Sequence, residues 1–203
     1  MLTLYGNKMS GSCQKVEYVL QILHVPFENK QLDFQKDLKT DWYLKIHPAG
    51  KIPSIDDHGF VLFESGAICR YLCEKHGGQL IPHDLRHRAL MEQWIDFVNL
   101  HVSSAVGKVA FNRVFAPMFG MPVNESSIEA GLKDLDRFFP ILDAQIARDG
   151  YVAGSVLSLA DIALLSALAY VDSAKIDVAK YAHISKWLSG LKSQDWYKKV
   201  HQK

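Results

Sequence analysis

The rhythm of apolar positions changes along the chain. Leu2–Tyr5 is a short apolar run closed by Gly6, the pattern of a buried strand. Val16, Val19, Leu20 and Leu23 then fall at i, i+3, i+4 and i+7, one face of a helix. Phe27–Leu32, apolar at its two ends, is read as a second strand that stops at Asp33. Ile52–Ile55 and Phe60–Phe63 are apolar runs around Asp56-Asp57-His58-Gly59, a hairpin signal in which glycine supplies φ > 0. Ser65 opens a helical pattern carried by Ala67, Ile68, Tyr71 and Leu72. The order β-α-β, an irregular stretch, then β-β-α predicts a small sheet covered by helices over residues 1–76.

Gly77–His83 holds two glycines and a proline, and a linker is expected over 77–85. Beyond it the strand signals vanish. Helices are predicted over Arg86–Phe115, Ser126–Arg148, Ser158–Asp172, Ile184–Gly190 and Ser193–His201, so 86–203 reads as all-helical. Pro117 and Pro122 separate the first helix from the second. Ser158-Leu159-Ala160-Asp161 is an S-x-x-D capping box, with Leu157 and Ile162 placed as its hydrophobic staple.

Composition narrows the function classes. The chain has 203 residues, 23 basic and 22 acidic, for a net charge of +1. A balance that even gives no electrostatic footprint for nucleic acid or an anionic membrane. No apolar stretch is long enough to span a bilayer, and the first residues lack the basic and apolar regions of a signal peptide. Cys13, Cys69 and Cys73 form neither a C-x-x-C motif nor a disulfide framework, which points to a reducing, cytoplasmic setting. His83 and His87 stand one helical turn apart without an evident third ligand, so no metal is expected. No G-x-G-x-x-G, P-loop, G-x-S-x-G or H-E-x-x-H occurs.

Three loops carry candidate chemistry. Met9–Val16 joins the first strand to the first helix, where hydroxyls and a thiol meet free helix N–H groups. Ser10 or Ser12 is the natural N-cap there. Ala49-Gly50-Lys51-Ile52-Pro53 enters a strand through a proline, and a cis bond at that point would turn the Ile52 backbone toward an extended ligand. In Phe63-Glu64-Ser65-Gly66, Ser65 is placed to cap a helix; the helix start suits a carboxylate, and Glu64 suits an ammonium.

Together, in this order and spacing, these motifs resemble the cytosolic glutathione transferases, serine type, and are most similar to the phi class. T-L-Y-G-N-K-M-S-G-S-C at 3–13 looks like that family's opening strand, loop and helix. H-P-A-G-K-I-P at 47–53 and F-E-S-G-A-I at 63–68 look like its cis-proline loop and Glu-Ser motif. Val114–Gly120 is phi-like, and Ala153–Asp161 resembles the family's C-terminal capping motif. The resemblance implies an α/β thioredoxin-like N-terminal domain that binds glutathione and an all-α C-terminal domain that forms the cosubstrate site. It implies a homodimer that conjugates glutathione, as cosubstrate, to small hydrophobic electrophiles.

Carried over by position, Ser10 would activate the glutathione thiol. Glu64 and Ser65 would hold the γ-glutamyl ammonium and carboxylate, and the Ile52 backbone, before Pro53, would pair with the cysteinyl part. Lys39 and Lys51 would face the glycyl carboxylate. Phe111, Phe115, Met118 and Phe119 recur at i, i+4, i+7 and i+8, as helical core or as an apolar wall for the electrophile. Ala49 stands where the phi pattern has a bulky aromatic, and Gly66 where it has an arginine. Tyr5 is a rival activator. A glutathione-dependent peroxidase or thiol reductase, with Cys13 as mixed-disulfide site, is one alternative. A non-catalytic ligand-binding or interaction module is the other.

Overall fold

The computed structural model describes residues 1–202 and divides into two compact units, Met1–Ile81 with the segment from Gln194, and Pro82–Ser193. In the first unit, β1 (Leu2–Gly6) lies in the middle of a four-stranded sheet of order β2-β1-β3-β4. It pairs in parallel with β2 (Phe27–Gln31), Leu2 opposite Phe27 and Gly6 opposite Gln31. On its other side it runs antiparallel to β3 (Ser54–Asp57), which turns back into β4 (Phe60–Phe63).

The expected run Ile52–Ile55 enters the sheet two residues late, because Pro53 has no N–H to give a ladder. The strand then continues through Asp56 and Asp57, and the turn contracts to His58 and Gly59. Both have positive φ, 55° and 92°, which suits a two-residue hairpin whose twist matches its strands.

Helix α1 (Gly11–Ile22) buries Val16, Val19 and Leu20, and α3 (Ser65–Lys75) buries Ile68, Cys69, Leu72 and Cys73. These two helices pack on each other, and fully buried Leu4 and Ile55 supply the sheet's share of the core. Between β2 and β3 lies a single turn of helix, α2 (Asp41–Leu44).

The second unit is helical. From α4 (Leu85–Phe97), capped by the Asp84 carboxylate, the chain passes through α5 (Ser103–Ala110) to the short α6 (Ala116–Met118). The single helix expected over 86–115 is widened by π turns at Val98–Val102 and Phe111–Phe115. Helix α7 (Glu125–Asp149) starts at Asn124, whose side chain accepts the Ser127 N–H, and ends at left-handed Gly150. It crosses α5 at Gly131, where a β-carbon would lie 2.8 Å from the Ala105 carbonyl oxygen. Helix α8 (Leu159–Ala167) is buried almost throughout. At its start the Asp161 carboxylate accepts from the Ser158 N–H (2.9 Å) and hydroxyl (3.0 Å), the Val152 N–H (2.9 Å) and Trp187 Nε1 (3.0 Å). Helix α9 (Ala182–Lys192) completes the unit.

Chain order alone would place the last helix, α10 (Asp195–His201), with this bundle. Its packing places it on α1 instead. Tyr18 stacks on Tyr197, with ring centroids 5.5 Å apart, and its hydroxyl lies 2.7 Å from His201 Nε2.

Candidate functional site

Three loops converge at one end of the first unit's sheet. The first follows β1. Asn7 holds it: its side-chain amide donates to the Leu32 carbonyl (2.8 Å), its Oδ1 accepts the Met9 N–H (2.9 Å), and its carbonyl accepts the Ser10 N–H (2.9 Å). Ser10 is the N-cap of α1, with extended backbone and an Oγ that accepts the Cys13 N–H at 3.4 Å. Ser12 follows in the helix's first turn.

The second loop runs from α2 to β3. Its Ile52–Pro53 bond is cis. Gly50 takes φ 57°, and a β-carbon there would lie 2.4 Å from the Leu38 carbonyl oxygen, so the loop's path requires glycine. The Tyr43 hydroxyl donates to the Lys51 carbonyl (2.7 Å) and lies 3.3 Å from Ser54 Oγ, tying the loop to the core.

The third loop is the corner between β4 and α3. Glu64 occupies the cap position with φ 70° and ψ 113°, and no side chain caps the helix. The cap expected at Ser65 is therefore displaced by one residue. Ser65 is the first helical residue, beside backbone N–H groups that have no partner within the helix.

Ser12, His47, Lys51, Ile52, Pro53, Glu64 and Ser65 line a cleft of about 210 Å³. Five residues singled out from the sequence, Lys51, Ile52, Pro53, Glu64 and Ser65, thus meet in one place. Ser10 and Lys39 are not among its walls. Lys39 Nζ instead lies 3.5 Å from the Ala49 carbonyl oxygen, over Gly50. Phe111, Phe115, Met118 and Phe119 belong to the second unit. Phe111, Met118 and Phe119 are exposed there, and Phe115 packs edge-on against Tyr170 at 5.0 Å.

Neither rival residue, Tyr5 nor Cys13, lines the cleft. Tyr5 lies 6.3 Å from both Trp42 and Tyr43, ring to ring, and burial pushes its hydroxyl's pKa up, helped by Asp56 and Glu28. Cys13 is fully buried, and desolvation drives its thiol to about 11 against the opposing hydrogen bonds from Asn7 and Ser10. A protonated, inaccessible thiol offers no nucleophile for a mixed disulfide.

His47 is the first residue of H-P-A-G-K-I-P and stands out only in the fold. The residue is 2% exposed, its ring centroid lies 4.7 Å from that of Phe63, and its Nδ1 is buried without a hydrogen-bond partner. The signal available was a histidine immediately before a proline, in a loop already suspected of facing a ligand.

A sheet of this order, followed by a helical bundle and carrying this cleft, defines a class of protein that comparison identifies. The family model for the glutathione S-transferase N-terminal domain matches residues 4–80, and that for the C-terminal domain matches 107–195. Glutathione S-transferase F10 of Arabidopsis thaliana is 31% identical, over 100% of this chain and 97% of its own. The crystal structure of glutathione transferase F7 from Populus trichocarpa superposes with a TM-score of 0.92 at 27% identity, covering 99% of this chain and 98% of its own. A glutathione S-transferase-I structure with bound lactoylglutathione gives 0.91 at 26% identity, covering 98% and 97%. The chain belongs to the glutathione S-transferase family, and its kinship is with the phi class. It is by that membership a glutathione transferase.

Proposed function

We propose that the cleft binds glutathione and that the protein conjugates it to small hydrophobic electrophiles. The observation that carries this reading is the gathering of Lys51, Ile52, Pro53, Glu64 and Ser65 around one cleft. Glu64 takes the γ-glutamyl ammonium, while Ser65 and the start of α3 take its carboxylate. The Ile52 backbone pairs with the cysteinyl part. Lys51 faces the glycyl carboxylate, with Lys39 as a more distant cation. Phe111, Phe115, Met118 and Phe119 supply apolar surface for the electrophile. The protein works as a homodimer in the cytoplasm, a setting its three free thiols support. Among the described residues no helix is long and apolar enough to cross a membrane.

Thiol activation falls to Ser10. A thiol of pKa about 8.5 is only about 3% thiolate at pH 7, and lowering it by about two units raises that to roughly three-quarters, a difference of about 2.7 kcal/mol. A hydrogen bond to a charged group contributes about 1.5–3 kcal/mol, and a helix N-terminus about 0.3–1. One hydroxyl at the start of α1 is sufficient in magnitude. Capping does not preclude the role: the cap uses a lone pair on Ser10 Oγ, and its proton, which without ligand bonds to the Cys13 sulfur, turns to the glutathione sulfur on binding. Ser12 is the competing donor, because it lines the cleft.

Calorimetric titration with glutathione, paired with an assay of conjugation to an activated aryl halide, tests the proposal. Saturable binding and conjugate formation are expected. No binding at millimolar glutathione overturns the reading.

A further inference from the structure

We infer that His47 is a ligand-contact residue of this cleft, its Nδ1 accepting a hydrogen bond from an amide N–H of the bound peptide, so that affinity falls when the imidazole gains a proton. The inference rests on reading the cleft as a glutathione site.

The unpartnered nitrogen is its starting point. Leaving a buried polar atom without a hydrogen bond costs about 1–3 kcal/mol, so a native protein that keeps one in the wall of a cleft needs a reason for it. Position supplies the reason. The charged groups acting on the ring are Glu64 from the β4–α3 corner and Lys51 from its own loop. From β4 comes the Phe63 ring, and from α2 the Tyr43 carbonyl, which accepts the His47 backbone N–H. A peptide whose ammonium end lies at Glu64 and whose carboxylate end lies at Lys51 presents its middle to His47. The polar hydrogens of that middle are amide N–H groups.

The protonation state agrees. Burial holds the imidazole below its ordinary 6.5; Glu64 and the ring's proximity to its own backbone pull the other way, and Lys51 adds to the lowering. The ring is neutral at pH 7 and has one nitrogen lone pair to offer. Protonation removes that lone pair and places a second cation beside Lys51.

The test is calorimetric titration of glutathione between pH 5.5 and 8 into the wild type, His47→Phe and His47→Gln, with a thermal melt of each. Phenylalanine keeps the ring on Phe63 and removes both nitrogens. Glutamine restores an acceptor that does not titrate. At pH 7.5 the His47→Phe protein is expected to bind about tenfold more weakly, the effect of one hydrogen bond, while melting no lower than wild type. His47→Gln is expected to keep most of the affinity. The wild type should weaken toward pH 5.5, and neither variant should show that weakening. Wild-type binding with an unchanged His47→Phe affinity overturns the inference and leaves the site reading intact. So does affinity that rises on acidification, the signature of an imidazolium donating to a carboxylate. A wild type that binds no glutathione refutes both.

Discussion

Two serines two positions apart contend for one proton donation, and they differ in what else they do. Ser10 holds the N-terminus of α1 through a long 3.4 Å contact, whereas Ser12 faces the cleft from the helix's first turn. Ser10→Ala removes a weak cap as well as the hydroxyl proposed to activate the thiol. It is expected to lower kcat/KM for conjugation by about tenfold or more, the effect of a hydrogen bond to a charged sulfur, and to reduce stability by about 0.5–1 kcal/mol. Ser12→Ala is expected to raise KM for glutathione less than threefold and to leave the pH profile of kcat/KM in place. Steady-state kinetics from pH 6 to 9 distinguish them: loss of activation shifts the acid limb upward with the thiol's pKa. If Ser12→Ala produces that shift and Ser10→Ala does not, the assignment is reversed. The motifs around Lys51, Pro53, Glu64 and Ser65 were legible because their residue types are constrained by backbone geometry as well as chemistry. His47 was not, since a histidine in a loop carries no periodicity, and only packing reveals that its nitrogen is buried and unmatched.

Helix crossings set the stability of the second unit. At Gly131 helices α5 and α7 approach so closely that an added methyl would meet the Ala105 carbonyl oxygen and Val109 Cγ2, each at 2.8 Å. Gly131→Ala should raise helix propensity by about 1 kcal/mol and yet destabilise the protein by about 1–3 kcal/mol net, because backbone cannot move aside as a side chain can. A denaturant melt checks this; a variant more stable than wild type would show that the two helices separate at little cost. The same scale explains what element prediction missed. Leu85–Met118 keeps its helical signature through both π turns, because a widened turn changes hydrogen-bond partners without changing residue preferences. Strand β3 begins late for the opposite reason: Pro53 is apolar in the pattern but cannot join a ladder. The capping box was readable because Ser158 and Asp161 interact within one turn, but the contribution of Val152 and Trp187 to that carboxylate comes from outside it.

For the molecule as a whole, a net charge of +1 means that the attraction for an anionic tripeptide which the proposed function requires is local, from Lys51 and the starts of α1 and α3. The boundary near residue 82 was visible as a glycine-rich break followed by loss of strand signals, whereas the return of α10 to the first unit was not. Nothing local in Gln194–His201 distinguishes a helix that packs on a bundle from one that packs on a sheet unit. Ending the chain at Ser193 would uncover Tyr18, and the first unit should lose about 1.5–3 kcal/mol, the scale of one exposed aromatic side chain. Hydrogen exchange reads this as faster exchange along α1 with α7 and α8 unchanged; equal loss in both units would refute it.

The docking of α10 on α1 also has a consequence in time. A ribosome releases a chain from its N-terminus, and domains generally fold as units while synthesis continues. Pro82–Ser193 is continuous and can close as soon as it has emerged. The sheet that bears the cleft has its strands first but receives α10 only after the entire bundle has been made. Of the two units, the one whose strands are made first is therefore the one completed last, and until α10 arrives the Tyr18 face of α1 stays uncovered.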